Sequence, residues 1–298
     1  MLPFNFQHQY VVVVASTDRS TTDHDDDDDD YGHDDHCPST SEGGTCHWNT
    51  YYNQAMHADN VIEVDVPIDV VADIRREYQK HIEPHLETNR STDDFCLVSP
   101  YSKGVKTWNT HARVDDIRSD IKWYSVNNEA AYQKYLMYVK RLGLLERVKE
   151  HNWIRRESDD DLTVYSIFFI PRSFSRGHQF HVDWNEELGT QTVTFLVPLS
   201  SDFSIGLAYE DNDDEIREYN YKLGKAIGVG GGLLHSTGIG KAEENAQDVL
   251  LCVYIGGKDE DLWEYTLDNI ADELEHYNDP FQGFIRNENL HGRPSKCQ

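Results

Sequence analysis

The sequence predicts a mainly β domain with flanking helices, in which short strands pair as an antiparallel sandwich or barrel. Between residues 161 and 256, apolar stretches alternate with clusters of Gly, Asn, Asp and Pro, which is the pattern of successive strands and turns. No helical periodicity separates these stretches. An antiparallel arrangement is therefore expected rather than a parallel sheet with crossover helices.

The individual elements are predicted in chain order from their periodicity. A strand is expected at 61–66, and a helix begins at Pro67, since the apolar residues after it recur at spacings of three and four. Further helices are expected at about 128–150 and 261–277, each with one apolar face. The segment 99–123 has no clean period and is expected to form loops and short strands that cover a site. The strands predicted in the β region are 163–170, 192–199, 205–209, 225–229 and 248–255.

The chain divides into an acidic tail and one folded domain. Residues 1–58 contain six consecutive aspartates, Asp25 to Asp30, and such a segment buries too little apolar area to offset its ordering entropy. We therefore expect a disordered tail at 1–58 and a single domain at 59–298, with a barrel core at about 161–256. The net charge of −27 argues against a nucleic-acid partner, because phosphates would be repelled.

Cysteine usage and hydropathy indicate the cellular setting. The five cysteines are widely spaced and contain no Cys-x-x-Cys pair, so neither a disulfide framework nor a structural zinc site is indicated. A reducing compartment is expected, and the cytoplasm is favoured. No stretch reaches the roughly 20 apolar residues of a membrane span, so no membrane association is expected.

Two short motifs carry the chemistry. A His-x-Asp is formed by His181 and Asp183, and the glycines Gly230–Gly232 lead to a further imidazole at His235. Side chains alternate along an extended chain, so His181 and Asp183 lie on the same side. A third ligand from a distant strand would complete two imidazoles and one carboxylate. This set leaves coordination positions open, as non-haem Fe(II) oxygenases require for a co-substrate and dioxygen.

In this order, the strands and ligands resemble the Fe(II)/2-oxoglutarate-dependent dioxygenase family. The resemblance covers roughly 163–255 and implies a double-stranded β-helix, a jelly-roll barrel of the cupin-like kind. It also implies that His181, Asp183 and His235 hold Fe(II), which 2-oxoglutarate chelates through its keto acid end. Phe180 and Trp184 flank the ligands and are expected to form a dry wall of the substrate pocket.

The sequence departs from that family at one position. Members usually carry Arg or Lys at the start of the last strand, where it binds the far carboxylate of 2-oxoglutarate, but this chain has Gln247 there. A carboxylate buried without a cationic partner is costly, so another group is expected to serve. The candidates are Arg172, Lys241 and the hydroxyl of Thr194. Arg172 is preferred because a guanidinium suits a bidentate carboxylate contact.

The predicted function is an oxygenase that uses Fe(II), 2-oxoglutarate and dioxygen to hydroxylate, desaturate or oxidatively cyclise a small organic molecule. A protein substrate is an open alternative. A second hypothesis is a cupin-like metal-dependent oxygenase or isomerase that does not use 2-oxoglutarate, which the missing cation beside Gln247 keeps open. A third is a binding protein with a degenerate barrel and a working acidic tail. The intact ligand set makes the third the weakest.

Overall fold

The computed structural model describes residues 61–98, 119–151, 154, 161–178, 180–184, 188, 191–211, 215–243 and 246–286. The predicted acidic tail at 1–58 lies outside these residues, as does most of the segment at 99–123. The disordered tail therefore stays a prediction.

The described part of the chain is mainly β with flanking helices. The helices are α1 (Ile68–His81), α2 (Glu129–Leu142), α3 (Leu144–His151) and α4 (Glu260–Glu273). The strands are β1 (Val61–Asp65), β2 (Phe95–Val98), β3 (Ser119–Ile121), β4 (Trp123–Val126), β5 (Leu162–Ser175), β6 (Thr192–Pro198), β7 (Leu207–Glu210), β8 (Ile216–Tyr219), β9 (Lys225–Gly230), β10 (His235–Thr237), β11 (Gly240–Lys241), β12 (Asp248–Gly257), β13 (His276–Asp279) and β14 (Gly283–Arg286).

These strands form one large and one small antiparallel sheet, together with a hairpin. The large sheet has the order β1-β9-β6-β12-β5-β4-β2, with β3 and β11 also pairing with β5; the small sheet is β10-β7-β8, and the hairpin is β13-β14. An isolated bridge between His181 and His235 adds one more chain segment beside β10. Strands that are distant in sequence are thus neighbours in two sheets, as in a jelly roll. This arrangement confirms the predicted double-stranded β-helix. Among the described residues, the strands form two sheets and do not close into a barrel.

The large sheet separates two apolar clusters, because successive side chains point to opposite faces. On β12, Leu251 and Val253 pack with the side chains of α1 and α2. Cys252 and Tyr254, on the opposite face, belong to a second cluster that includes Leu207 of the small sheet. Helices α1, α2 and α3 therefore cover the outer face, whereas the small sheet and α4 pack on the inner face. Each large apolar side chain buried in these clusters contributes about 1.5–3 kcal/mol.

The second predicted helix is two helices in the structure. Gly143 adopts a φ of 74°, and its backbone N–H donates to the carbonyls of Lys140 and Val139. This left-handed residue ends α2, since glycine alone adopts that conformation without a steric penalty. At the other end of α2, the side chain of Asn128 accepts a hydrogen bond from the N–H of Ala131 at 2.8 Å, which is a typical helix cap. The predicted helices at the start and end of the domain correspond to α1 and α4.

The predicted strands are confirmed, and several short ones are added. Strand β5 continues to Ser175, beyond the predicted end, and includes Pro171, which lies opposite Val249 of β12. The short strands β8 and β10 are absent from the prediction, since three or four residues are too few to show a clear alternation. The hairpin β13–β14 is also additional, and it occupies part of the stretch predicted as the end of the last helix.

Two further findings concern the cellular setting. Cys96 on β2 is disulfide-bonded, whereas Cys252 on β12 is buried and forms no disulfide. The wide spacing of the cysteines does not reveal this bond, because pairing depends on proximity in the fold. The compartment stays a prediction. Among the described residues, no helix is both long and apolar enough to cross a membrane.

Candidate functional site

Three side chains with metal-binding groups meet beside the small sheet. His181 and His235 exchange two backbone hydrogen bonds of 2.9 Å, so both imidazoles project from the same face of this pair, with ring centroids 4.6 Å apart. The Oδ1 atom of Asp183 lies 3.7 Å from Nε2 of His181 and 3.5 Å from Nε2 of His235. One ligand atom from each residue lies within 4.8 Å of the others. Two nitrogens and one carboxylate oxygen thus form a donor set that fits a divalent transition metal.

The surroundings of His235 determine which of its ring nitrogens faces the cluster. Its Nδ1 atom lies 2.8 Å from the carbonyl oxygen of Leu233 and donates to it. In the neutral imidazole, Nε2 is then the unprotonated nitrogen and can bind a metal, which is how ligating histidines are commonly fixed. The side chain of His235 is buried, but that of His181 is 49% exposed. The cluster is therefore open on the side of His181.

Electrostatics keep the carboxylate of Asp183 ionised. Burial alone would raise its pKa, but His235, His181 and the hydroxyl of Thr194 together hold the pKa below its ordinary value. Burial likewise acts to lower the pKa of His235, and Asp183 and the carbonyl of Leu233 outweigh it, so that this pKa is raised. The negative charge at the centre of the cluster favours a cation there.

A buried arginine lies on the same inner face of the large sheet. Arg172 of β5 pairs in register with Asp248 of β12 and is 2% exposed. Its guanidinium carbon lies 5.3 Å from the ring centroid of Tyr221 and 5.8 Å from that of Phe203. The Nε and Nη2 atoms of Arg172 are buried without a hydrogen-bond partner among the described residues. Because unused donors on a buried cation are costly, this guanidinium is a natural place for an anionic ligand.

Tyr221 and Asp248 complete the polar surroundings of Arg172. Burial raises the pKa of Tyr221; the charge of Arg172 opposes this effect, and the charge of Asp183 adds to it. Tyr221 is therefore close enough for the charges of both Arg172 and Asp183 to affect its pKa. The Oδ2 atom of Asp248 accepts hydrogen bonds of 2.8 Å from the backbone N–H groups of Ser204 and Ile205. Burial raises the pKa of Asp248, and Arg172 partly opposes that rise.

The other predicted co-substrate residues have different surroundings. The side chain of Gln247 accepts a hydrogen bond of 3.2 Å from Tyr78 of α1, which places it on the helix-covered face, away from the cluster. Lys241 is exposed and pairs with Phe174 at the end of β5. The hydroxyl of Thr194 donates to Oδ2 of Asp183 at 2.6 Å. The structure therefore brings Thr194 to the cluster but gives neither Gln247 nor Lys241 a contact with it.

The aromatic residues beside the ligands differ in burial. Trp184 is 1% exposed, and its ring lies 5.0 Å from that of Tyr254 and 5.9 Å from that of Tyr165. It belongs to the buried core cluster directly after Asp183 in the chain, and its role as a wall of the substrate pocket stays a prediction. Phe180 is partly buried, with its ring 5.4 Å from that of His178.

The glycine-rich strand end is explained by close packing. A Cβ atom on Gly231 would lie 2.3 Å from Oγ1 of Thr192 and 3.1 Å from Cδ1 of Trp184. No side chain fits this position without displacing its neighbours. The chain between β9 and His235 thus passes close to the core side chains Thr192 and Trp184.

Sequence reasoning did not identify Tyr221 as a site residue. Tyr221 follows the short strand β8, and no motif or periodicity in its neighbourhood marks it. Its proximity to Arg172 and Asp183 results from the pairing of the two sheets. Only the fold reveals it.

Of the known proteins compared with this chain, only solved structures are similar to it. No protein-family model matches the chain, and no curated protein sequence matches it. A prolyl-4-hydroxylase from Pseudomonas putida is similar at 11% identity and a TM-score of 0.45, covering 70% of this chain and 96% of its own. A 2OG-Fe(II) oxygenase family oxidoreductase from Burkholderia pseudomallei has 11% identity and a TM-score of 0.43, covering 73% and 92%.

HygX from Streptomyces hygroscopicus, whose crystal structure contains nickel and 2-oxoglutarate, is similar at 13% identity and a TM-score of 0.41. This match covers 72% of the present chain and 88% of HygX. At such identities and TM-scores, the reactions and ligands of the three proteins remain properties of those proteins, and the function of this chain is inferred from its own residues.

Proposed function

We propose that this protein is a non-haem Fe(II)/2-oxoglutarate-dependent oxygenase that acts on a small organic molecule. The observation that carries the proposal is the cluster of His181, Asp183 and His235, whose donor atoms lie within 4.8 Å of one another. Its two nitrogens and one carboxylate oxygen, with an open side at His181, are the arrangement that Fe(II) oxygenases use.

In this proposal each of the three side chains supplies one ligand atom to the iron. His235 is fixed by its hydrogen bond to Leu233 and presents Nε2, and Asp183 supplies the negative charge. His181 supplies the second imidazole from the exposed side. Iron bound there would, with 2-oxoglutarate as the reductant, activate dioxygen for the oxidation of an unactivated C–H bond. The protein holds its ligands in place beforehand, so that little reorganisation is needed when the metal binds.

Arg172 is proposed to bind the far carboxylate of 2-oxoglutarate. It lies on the inner face, is buried, and has two nitrogens free to donate. A planar guanidinium can bind a carboxylate through two parallel hydrogen bonds. The charges of both Arg172 and Asp183 affect the pKa of Tyr221. Tyr221 is therefore proposed to contact the co-substrate between its metal-binding end and its far carboxylate. Arg172 would thereby serve in place of the basic residue expected near Gln247.

The aromatic side chains around the cluster are proposed to keep water away from the reacting groups. Trp184 packs against Tyr254 and Tyr165, and this wall makes the site apolar where the carboxylate of Asp183 enters it. A site with low water content strengthens the electrostatic contacts within it. Phe180, on the more open side, is proposed to contact the substrate. Hydroxylation, desaturation and cyclisation would use the same iron-holding residues, since these outcomes differ in the substrate that is placed beside them.

The test is an anaerobic titration of Fe(II) into the purified protein, with and without 2-oxoglutarate. We expect a weak visible charge-transfer band that forms only when both are present and is lost in His181→Ala and Asp183→Ala. Iron binding without this band would replace the proposal with the cupin-like alternative, which needs no 2-oxoglutarate. Failure of the wild-type protein to bind iron would overturn it.

A further inference from the structure

One hydroxyl group contacts the central carboxylate of the metal-binding cluster. Oγ1 of Thr194 donates to Oδ2 of Asp183 at 2.6 Å. The other carboxylate oxygen, Oδ1, is the atom nearest to Nε2 of both His181 and His235. The two oxygens of Asp183 therefore have separate partners.

Thr194 is well placed to impose this separation. It lies on the central strand β6, between Tyr254 of β12 and Val229 of β9 in the ladder, and it is 2% exposed. A β-branched side chain has few accessible rotamers, so the hydroxyl is held in one direction by a rigid part of the sheet. Asp183, in contrast, lies on a bend outside the regular strands and needs an external contact to fix its carboxylate.

We propose that Thr194 is a positioning residue that holds Oδ2 of Asp183, so that the carboxylate presents only Oδ1 to a bound metal. This inference rests on the proposed metal site and goes beyond it. A carboxylate that meets the metal through a single oxygen leaves one more coordination position for other ligands than a chelating carboxylate does. Thr194 thus acts through Asp183 rather than as a donor to 2-oxoglutarate.

The sheet provides a matched control for this hydroxyl. Thr192 lies two residues earlier on β6, is also 2% exposed, and donates its hydroxyl to the backbone carbonyl of Leu188 at 3.0 Å. Thr192→Val and Thr194→Val therefore make the same chemical change at the same depth in the same strand. They differ in whether the lost hydrogen bond holds Asp183.

The experiment measures the affinity of the metal-free protein for Co(II) alone by calorimetric titration. We expect Thr194→Val to weaken Co(II) binding by about 10- to 100-fold, the usual effect of removing a partner of a metal ligand. Thr194→Ser keeps the hydroxyl and is expected to restore binding to within about threefold of wild type. Thr192→Val is expected to bind as wild type does. Thr194→Ala removes the same hydroxyl and replaces Thr194→Val if the valine variant does not fold.

The outcomes separate this inference from the proposed function. If the wild-type protein does not bind Co(II), the metal site itself is wrong. If the wild type binds and the variants without the hydroxyl at position 194 bind equally tightly, the positioning role is overturned while the metal site stands. Equal losses in Thr192→Val and Thr194→Val would also overturn it, because the effect would then come from the packing of β6.

Discussion

Replacing Arg172 with methionine tests the proposed co-substrate site most directly. Methionine retains much of the length of the side chain but removes the charge and all donors. Two charge-assisted hydrogen bonds are lost, each with a net contribution of about 1.5–3 kcal/mol, and the far carboxylate is left without a partner. A total of about 3–6 kcal/mol corresponds to a dissociation constant for 2-oxoglutarate that is roughly two to four orders of magnitude weaker.

The assay is a titration of 2-oxoglutarate into the anaerobic Fe(II) protein, followed by the charge-transfer band. The keto acid end still reaches the metal in Arg172→Met, so we expect the same band at much higher 2-oxoglutarate concentration. With 2-oxopentanoate, which carries a methyl group in place of the far carboxylate, wild type and variant are expected to bind equally weakly. This comparison isolates the contact between the guanidinium and the carboxylate.

The stability of the ligand-free variant is expected to change little. Removing a buried cation with two unpaired nitrogens is stabilising, but it also leaves the buried carboxylate of Asp248 without the opposing charge of Arg172. Arg141→Met is the control, because Arg141 also stacks on a tyrosine, Tyr138, with 5.6 Å to the ring centroid, but at the exposed surface. An affinity for 2-oxoglutarate within about threefold of wild type in Arg172→Met, or an equal loss in Arg141→Met, would refute the reasoning.

Three other predictions concern the metal and the core. Co(II) at about 100 times its dissociation constant should stabilise the protein by about 2.7 kcal/mol, which raises Tm by about 5–10 °C; EDTA should reverse the shift, and a His235→Ala variant that still shows it would contradict the metal site. Phe169→Ala should cost about 3–5 kcal/mol in urea unfolding, because this fully buried ring packs on three aromatic rings, whereas the exposed Phe281→Ala should change stability by about 0.5 kcal/mol or less. Gly231→Ala should destabilise by about 1–3 kcal/mol, since its Cβ would meet a fixed threonine hydroxyl; Gly177→Ala, with nothing within 4 Å, is the control, and equal unfolding midpoints for the two would disprove the packing argument.

The sequence was most informative where a local rule fixes the geometry. The period of two in an extended chain places His181 and Asp183 on one side, and the structure brings them together with His235. The apolar periods identified the main helices and the long strands. The same rules gave no signal for β10, although its pairing with the segment of His181 is what aligns the two imidazoles, because a three-residue strand is too short to have a visible period.

The contacts around the co-substrate site depended instead on the register of long-range pairing. Thr194 was recognised as a polar residue near the site, but its partner could be identified only once Asp183 was placed opposite it. The same applies to Arg172, whose neighbours Phe203 and Tyr221 come from loops that the sequence does not connect to β5. Hydroxyl and guanidinium groups have many possible partners, and the fold selects among them.

At the start of β12, two adjacent residues point to opposite faces of the large sheet. Gln247 precedes β12 and bonds to Tyr78 on the helix-covered face, while Asp248, the next residue, lies on the inner face in register with Arg172. A cation at 247 would therefore face α1 and could not reach the metal-binding cluster. At position 248 this chain has a carboxylate, and the positive charge stands opposite it on β5. The positive charge that an anionic ligand needs is thus present on the inner face, on β5 instead of β12. The lack of Arg or Lys at position 247 therefore does not argue against 2-oxoglutarate as the co-substrate.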